Sequence, residues 1–504
     1  VDIGHASAPA EGGILGWLHK IFPVKRSEAL TVALLGINSF TLMMCYYVLK
    51  VVREPLVIEG GGAELKSYMS GIQAILLLAV VPAFGWLTTK VTRIRLMTIM
   101  QLIFIGCLVV FEILVQTHTP IGAVFYVWVG IFNVMVVSNF WSFANDLYTE
   151  NEGKRLFALI GLGASIGAIV GAFLPHILQK TLGLHGLMLI SVGGLVASIF
   201  LYRIVDRRER ERKEAVAKEK SGKKSAKAAA ADDADSKRGG FALVLRDKYL
   251  RLLALMLLVA TVINTSGEYV ISKMAEDRGK AYAADKVAHQ MPVAGADQPA
   301  AAPKLDAPAA GTPNAGAKAP ETDTDKKVSK EAEDEYLGKF FSDYYGLVNL
   351  IAAILQGLVV ARLLTAFGVR KSLFIMPVIV FGGWLALVMF VNLTIVRAEK
   401  TTENSLDYSL NNTLRQALFL PTSPAAKYKA KAAIDTFVFR MGDAVASLGM
   451  VFMIVRVFKL GVHAFAVMNV ILAGLWIYLA WRTGKLHDEL AEKHPEREGE
   501  ATAA

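Results

Sequence analysis

Three features of this sequence predict an all-α membrane protein of twelve spanning helices arranged in two halves of six. Apolar residues fill 54% of its 504 positions and mean hydropathy is +0.43, more than a water-soluble fold carries. Those residues gather into runs of about 20, the length that crosses a bilayer as a helix. Basic residues recur on alternate turns, as the positive-inside bias requires of a polytopic chain. The net charge of +10 is mostly carried by those turns. No basic-plus-aromatic recognition module accompanies it, so nucleic acid is not an expected partner.

Residues 1–28 read as a cytoplasmic segment, and its first residue, Val1, points to a missing or processed start. Within it GILGWLHKIF sets Ile14, Trp17, Leu18, Ile21 and Phe22 on one helical face beside Lys20, Lys25 and Arg26, the pattern of an interfacial helix. The first half, 29–204, holds runs near 29–52, 68–88, 95–116, 121–147, 156–178 and 186–204. Residues 205–240 are charged and Ala-rich with almost nothing to bury, which makes them a solvated linker or frayed helix. The second half, 241–482, holds runs near 249–276, 341–363, 372–392, 393–421, 432–457 and 464–482. A polar tail, 483–504, closes the chain. Both termini and the linker then share the side of Lys154/Arg155, Arg370/Lys371 and Lys427 to Lys431, expected to be the cytoplasmic side of a bacterial inner membrane.

The run at 393–421, VNLTIVRAEKTTENSLDYSLNNTLRQALFL, is polar almost throughout. It is read as a span because AAKYKAKAA would otherwise face outward, and because a six-plus-six layout needs it. A polar helix crosses lipid when other helices surround it or it lines a wet cavity. Residues 278–335 are rich in Ala, Pro, Gly and charge and are expected to be a disordered outer insertion between the seventh and eighth helices. The insertion is either passive or a tether for a partner protein. Gly163, Gly167 and Gly171 fall four apart, a ridge on which two membrane helices approach closely. Gly followed by a basic turn appears in both GWLTTKVTRIRL and GLVVARLLTAFGVRKSL, a weak parallel repeat that fits the major-facilitator plan.

No phosphate loop, zinc spacing or nucleophile-and-base constellation is present, so neither an enzyme nor a cofactor or metal is expected. Cys45 and Cys107 both lie inside apolar runs and form no disulfide framework. His176, after Pro175, reads as structural rather than as a ligand. The informative residues are ionisable groups inside the spans. Lys50 and Arg53 stand one turn apart with Tyr46 on the same face. They either meet the phosphates of an anionic solute or snorkel to the headgroups. Asp146 ends one apolar run and needs protein or water around it. Glu268 and Lys273 form either part of a site or a structural pair. Arg415 and Arg440 are further cations in the second half, and Arg440 has Asp443 at i+3, where it can simply pair.

FWSFANDLYTENEGKRLFALIGLGA resembles the fourth-to-fifth helix corner of the ATP/ADP translocase family of plastids and intracellular bacteria, whose pattern runs FWGFANE, a basic KR and a Gly-rich helix. YYVLKVVREPLVI is similar to that family's YTVLRDTKDTLVV, and VINTSGEYVISKMAED to its NLVEVTWKSKL. The resemblance implies major-facilitator architecture and alternating-access exchange of nucleotides or related phosphorylated anions. Through it Lys50, Arg53 and Glu54 fall on the family's Arg, substrate-linked Lys and Asp. Asp146 falls on its essential Glu and Glu268 on its functional Glu, and Lys273 lies near a family Lys. On this footing Lys50, Arg53, Lys273, Arg415 and Arg440 are the candidate phosphate-binding residues, and Glu54, Asp146 and Glu268 the gating or coupling carboxylates. The match breaks in RQALFLPTSPAAKYKAKAAIDT, where the family's exchange-linked Lys is replaced by Ser423. Two alternatives therefore stay open: a carrier of a non-nucleotide solute, and a non-transporting subunit of a larger membrane complex.

Overall fold

The computed structural model describes residues 26–88, 91, 93–117, 119–148, 150–219, 240–290, 323–423 and 430–493. The N-terminal interfacial helix, most of the central linker, the middle of the insertion, Lys427, Lys429 and the end of the tail lie outside these residues. The described residues are almost wholly helical, and twelve legs can be followed among them.

The first helix, Arg26–Thr88, breaks at Gly61 and Gly62 into α1 (26–60) and α2 (63–88). Gly62 has φ 71°, a conformation that a side chain disfavours. α3 is Arg93–Gln116 and α4 Gly122–Leu147. Glu150–Glu219 breaks at Gly183 into α5 (150–182) and α6 (184–219). A short helix, Gly240–Arg246, leads into α7, Lys248–Gln290. α8 (323–367) contains a π-turn at Leu355–Val359 and ends where Gly368, φ 70°, turns the chain. α9 is Ile375–Met389. α10 (393–418) carries a π-turn at Asp407–Asn411, α11 (431–457) two more π segments, and α12 is Val462–Lys493.

Among the described residues seven helices are long and apolar enough to cross a membrane, and an eighth qualifies if the bent pair Lys326–Val359 and Arg362–Ser372 is one span. Two of the seven are the broken helices, each supplying two legs. α9 is short, and α10 is a polar leg enclosed by protein, as the sequence led us to expect. Its Glu399, Lys400, Glu403 and Asn404 are all buried. Outward-facing positions of α3 are apolar instead (Leu102, Ile103, Val110 and Ile113), the exposure that suits lipid.

The glycine ridge does what its spacing predicts. A methyl group at Gly163, Gly167 or Gly171 would lie 2.2, 2.2 or 2.3 Å from the carbonyl oxygens of Gly36, Phe40 and Met44. α5 therefore meets the α1 backbone with no room for a side chain. Ser39 of α1 reinforces the seam by donating to the Ile160 carbonyl at 2.8 Å.

One expectation is corrected at both of its ends. Residues 278–290 and 323–335 are helical extensions of α7 and α8 rather than disordered chain. Ala, Glu and Lys bury little but are strong helix formers. The two extensions also support each other: the Tyr282 and Tyr336 rings meet in a tilted pair at 5.6 Å, and Lys286 meets Glu335 at 3.1 Å.

Candidate functional site

The halves enclose a cavity of about 270 Å³, whose charged lining includes Lys50 and Arg53 of α1, Lys66 of α2, Glu268 of α7, and Arg440 and Asp443 of α11. Each group is there for a local reason. Lys50 and Arg53 share a face of α1 one turn apart. Lys66 enters because the chain reverses at Gly61–Gly62, one turn earlier than hydropathy predicts. The π-turn of α10 brings Asp407 and Tyr408 to the wall, a common use of such turns at functional sites.

Most of these charges are already neutralised within the protein. Glu54, fully buried behind the wall, holds Lys66 at 2.6 Å and Arg53 at 3.3 Å. Tyr345 donates to the same carboxylate at 2.9 Å. Arg53 also lies over the Tyr126 ring at 4.3 Å. Arg440 pairs with Asp443 at 3.0 Å, and Thr265 donates to that aspartate at 2.8 Å. Lys50 differs. Among the described residues no carboxylate lies within ion-pair distance of it, although it is only 7% exposed. Its ammonium sits over the rings of Tyr345, at 4.1 Å, and Tyr47, at 5.1 Å.

Glu268 connects the cavity to a second polar cluster. Tyr344 and Asn404 donate to its Oε1 at 3.0 and 2.8 Å, and the Lys400 ammonium lies 3.9 Å away. Lys400 is bonded to Glu403 at 2.7 Å and to the Asn264 carbonyl at 3.1 Å.

The structure brings together Lys50, Arg53, Glu54, Glu268 and Arg440 of the residues expected from sequence. It separates two others. Lys273 turns away to Asp277 at 2.7 Å, so the supposed Glu268–Lys273 pair is replaced by Glu268–Lys400. A spacing of five residues puts positions 268 and 273 on different faces of α7. Arg415 bonds Asn412 at 3.1 Å and stacks on Phe439 at 4.8 Å, away from the cavity. Asp146 ends α4, and its side chain lies outside the described residues. Sequence reasoning missed Lys66, Tyr345, Glu399, Lys400 and Glu403. The last three stand in AEKTTEN, where a polar stretch inside a span was itself the signal.

Cross-links between the halves gather at the end that carries the α7–α8 connection. Glu276 of α7 accepts the Ala63 amide at 2.8 Å, capping α2. Lys66 donates to Ser272 at 2.6 Å. Further out, Lys330 pairs with Glu59, Lys180 with Glu335 and Arg456 with Glu64.

Two helical halves about a charged central cavity define a multi-pass membrane transporter. The family model described as Major Facilitator Superfamily matches residues 10–284, and the chain belongs to that superfamily. It is similar to ADP,ATP carrier protein 2, chloroplastic, of Arabidopsis thaliana, with 26% identity over 239 residues, 37% of this chain and 38% of the carrier. The match thus spans well under half of that protein's length. Among solved structures, the nucleoside transporter NupG superposes with a TM-score of 0.55 at 14% identity, covering 90% of this chain and 98% of the other. A bacterial homologue of the iron transporter ferroportin gives 0.54 at 14%, covering 90% and 99%. These likenesses show the fold.

Proposed function

We propose that this transporter carries a phosphorylated anion, with nucleotide exchange as the specific activity. The observation that supports it is Lys50, a buried residue whose ammonium faces the cavity with no carboxylate in contact among the described residues. A desolvated cation without a counter-ion is costly, and a phosphate oxygen entering the cavity supplies one. Arg53, one turn along α1, reaches the same anion as a second donor. The partial likeness to a chloroplast ADP,ATP carrier and the family resemblance of YYVLKVVREPLVI both lean towards a nucleotide.

Transport then proceeds by alternating access, the two halves rocking about the cavity. Glu54 and Glu268 exchange ionic partners between states. The positive-inside bias of the basic turns supports both termini lying on the cytoplasmic side of a bacterial inner membrane, with the cross-linked end of the bundle then outside. We infer that a partner protein meets the α7–α8 connection at that end.

A smaller phosphorylated anion is the second reading. The cavity volume of about 270 Å³ falls below the ~300–1,000 Å³ usual for drug-sized ligands, and Ser423 stands where the related carriers have a lysine. Uptake of labelled ATP into proteoliposomes, empty or preloaded with ADP, separates these readings. Uptake that needs internal ADP and is lost in Arg53→Ala supports nucleotide exchange. No uptake by folded protein overturns it, and competition by inorganic phosphate or sugar phosphates then identifies the smaller anion.

A further inference from the structure

The two halves line the cavity with unlike charge. Among the described residues all three lining carboxylates, Glu268, Asp407 and Asp443, come from the second half, whereas the first half contributes Lys50, Arg53 and Lys66 and no acid. Two of those carboxylates are already engaged. Asp443 holds Arg440 and Thr265, and Glu268 takes Tyr344 and Asn404 with Lys400 beyond them. Asp407 of α10 differs. Its Oδ1 accepts from the Asn411 amide at 2.6 Å. Among the described residues its Oδ2 has no donor, and no cationic group lies within ion-pair distance. Asp407 opens the π-turn Asp407–Asn411, in which Ser409, Leu410 and Asn411 are buried while positions 407 and 408 reach the wall. Lys50 and Asp407 are therefore, among the described residues, the lining charges with no opposite charge in contact, one from each half.

A solute that meets Lys50 with its anionic group displaces water from the cavity and still leaves Asp407 in need of a donor. An ammonium is a poor one here, because Arg440 lines the same half of the cavity as a second cation. A hydroxyl fits better. It donates to the Asp407 carboxylate, and its own oxygen accepts from the N–H groups that Arg440 does not spend on Asp443. We propose that Asp407 is a specificity-determining residue that accepts hydrogen bonds from hydroxyl groups of the solute. The cavity then selects hydroxylated phosphate esters, those of ribose among them, over alkyl phosphates of the same size. The solute lies across the cavity, its phosphate on α1 and its hydroxyls on α10. This assignment rests on the anion reading of the cavity and adds to it the chemistry of the solute's other end.

Equilibrium binding to the purified full-length protein in detergent tests this with two pairs of anions that differ only in their hydroxyls. The pairs are ATP against its dideoxy analogue lacking both ribose hydroxyls, and glycerol phosphate against propyl phosphate. The wild type should bind the hydroxylated member roughly ten- to a hundredfold more tightly, the worth of a hydrogen bond to a charged group. Asp407→Ala should bring that ratio close to one, which a merely structural role would not do. A wild-type ratio close to one, or an undiminished ratio in Asp407→Ala, overturns the assignment and leaves the anion reading standing. If neither nucleotide binds, the second pair decides in the same way for a smaller anion. If none of the four binds to folded wild type, the anion reading itself falls and takes the assignment with it. Asp407→Asn keeps the shape of the side chain but not its charge and should lower the ratio severalfold. It replaces the alanine variant should that one fail to fold, and an undiminished ratio in it overturns the assignment equally.

Discussion

Replacing Lys50 by Met removes the ammonium and keeps a side chain of similar reach, which separates a binding role from a structural one. Lys50 is 7% exposed, and its ammonium lies 4.1 Å from the Tyr345 ring centroid. A desolvated cation over an aromatic ring recovers about 2 kcal/mol. Burying an unpaired ion costs several kcal/mol, so the penalty outweighs the ring contact. Lys50→Met should therefore leave the anion-free protein as stable as the wild type or more so. A hydrogen bond from a charged donor contributes about 1.5–3 kcal/mol, so ATP binding should weaken roughly ten- to a hundredfold. Thermal unfolding and equilibrium ATP binding, both in detergent, read the two effects on one preparation. A lower melting temperature with unchanged ATP affinity would refute the reasoning and make Lys50 a structural residue.

Three further outcomes follow from other parts of the molecule. Lys400→Met leaves the buried Glu403 and the half-buried Glu268 without their shared cation and should destabilise by about 3–5 kcal/mol; adding Glu403→Gln should restore part of that loss, and thermal unfolding measures both. Gly167→Ala forces a methyl group to within 2.2 Å of the Phe40 carbonyl, so α5 must move off α1 at a cost of about 1–3 kcal/mol, read as a lower melting temperature without loss of helix by circular dichroism. Asp334, on the extension of α8 beyond the span, is pushed up to about 7 by burial and by Glu59, Glu333 and Glu331, against the opposing pull of Lys330. Because its value in the folded protein is raised above 3.8, its stabilising contribution is full below 3.8 and is lost as pH rises towards about 7. Asp334→Asn should flatten that part of the melting-temperature profile, and an unchanged profile would contradict the assignment.

Features that depend on one helix at a time were legible in the sequence. The apolar runs located the legs, the spacing of Gly163, Gly167 and Gly171 identified the seam with α1, and positive-inside reasoning kept the polar α10 inside the bundle. Lys50 and Arg53 were found because a cation within an apolar run is unusual whatever surrounds it. Features that depend on two distant segments were not legible. Lys66 lies just after GGG and reads as loop until the reversal at Gly61–Gly62 shows that α2 has already begun. Glu268 was given the nearest lysine in sequence, Lys273, whereas its partner is Lys400 on another helix. Glu276 looks like an ordinary surface residue at the end of the expected seventh span, yet it caps α2 across the two halves. The helical ends of the insertion were missed for a different reason. Hydropathy marks what can enter lipid, and a helix of Ala, Glu and Lys that projects beyond the membrane gives no such signal.

The central claim is that the cavity between the halves is where the transported anion binds. Ser70 lines that cavity, and a cysteine at this position, with Cys45 and Cys107 replaced by serine, tests the claim directly through its rate of modification by a charged thiol reagent. The account predicts that saturating ATP slows the modification and that the modified protein no longer takes up ATP. Modification at an unchanged rate in saturating ATP, with uptake intact afterwards, would contradict it.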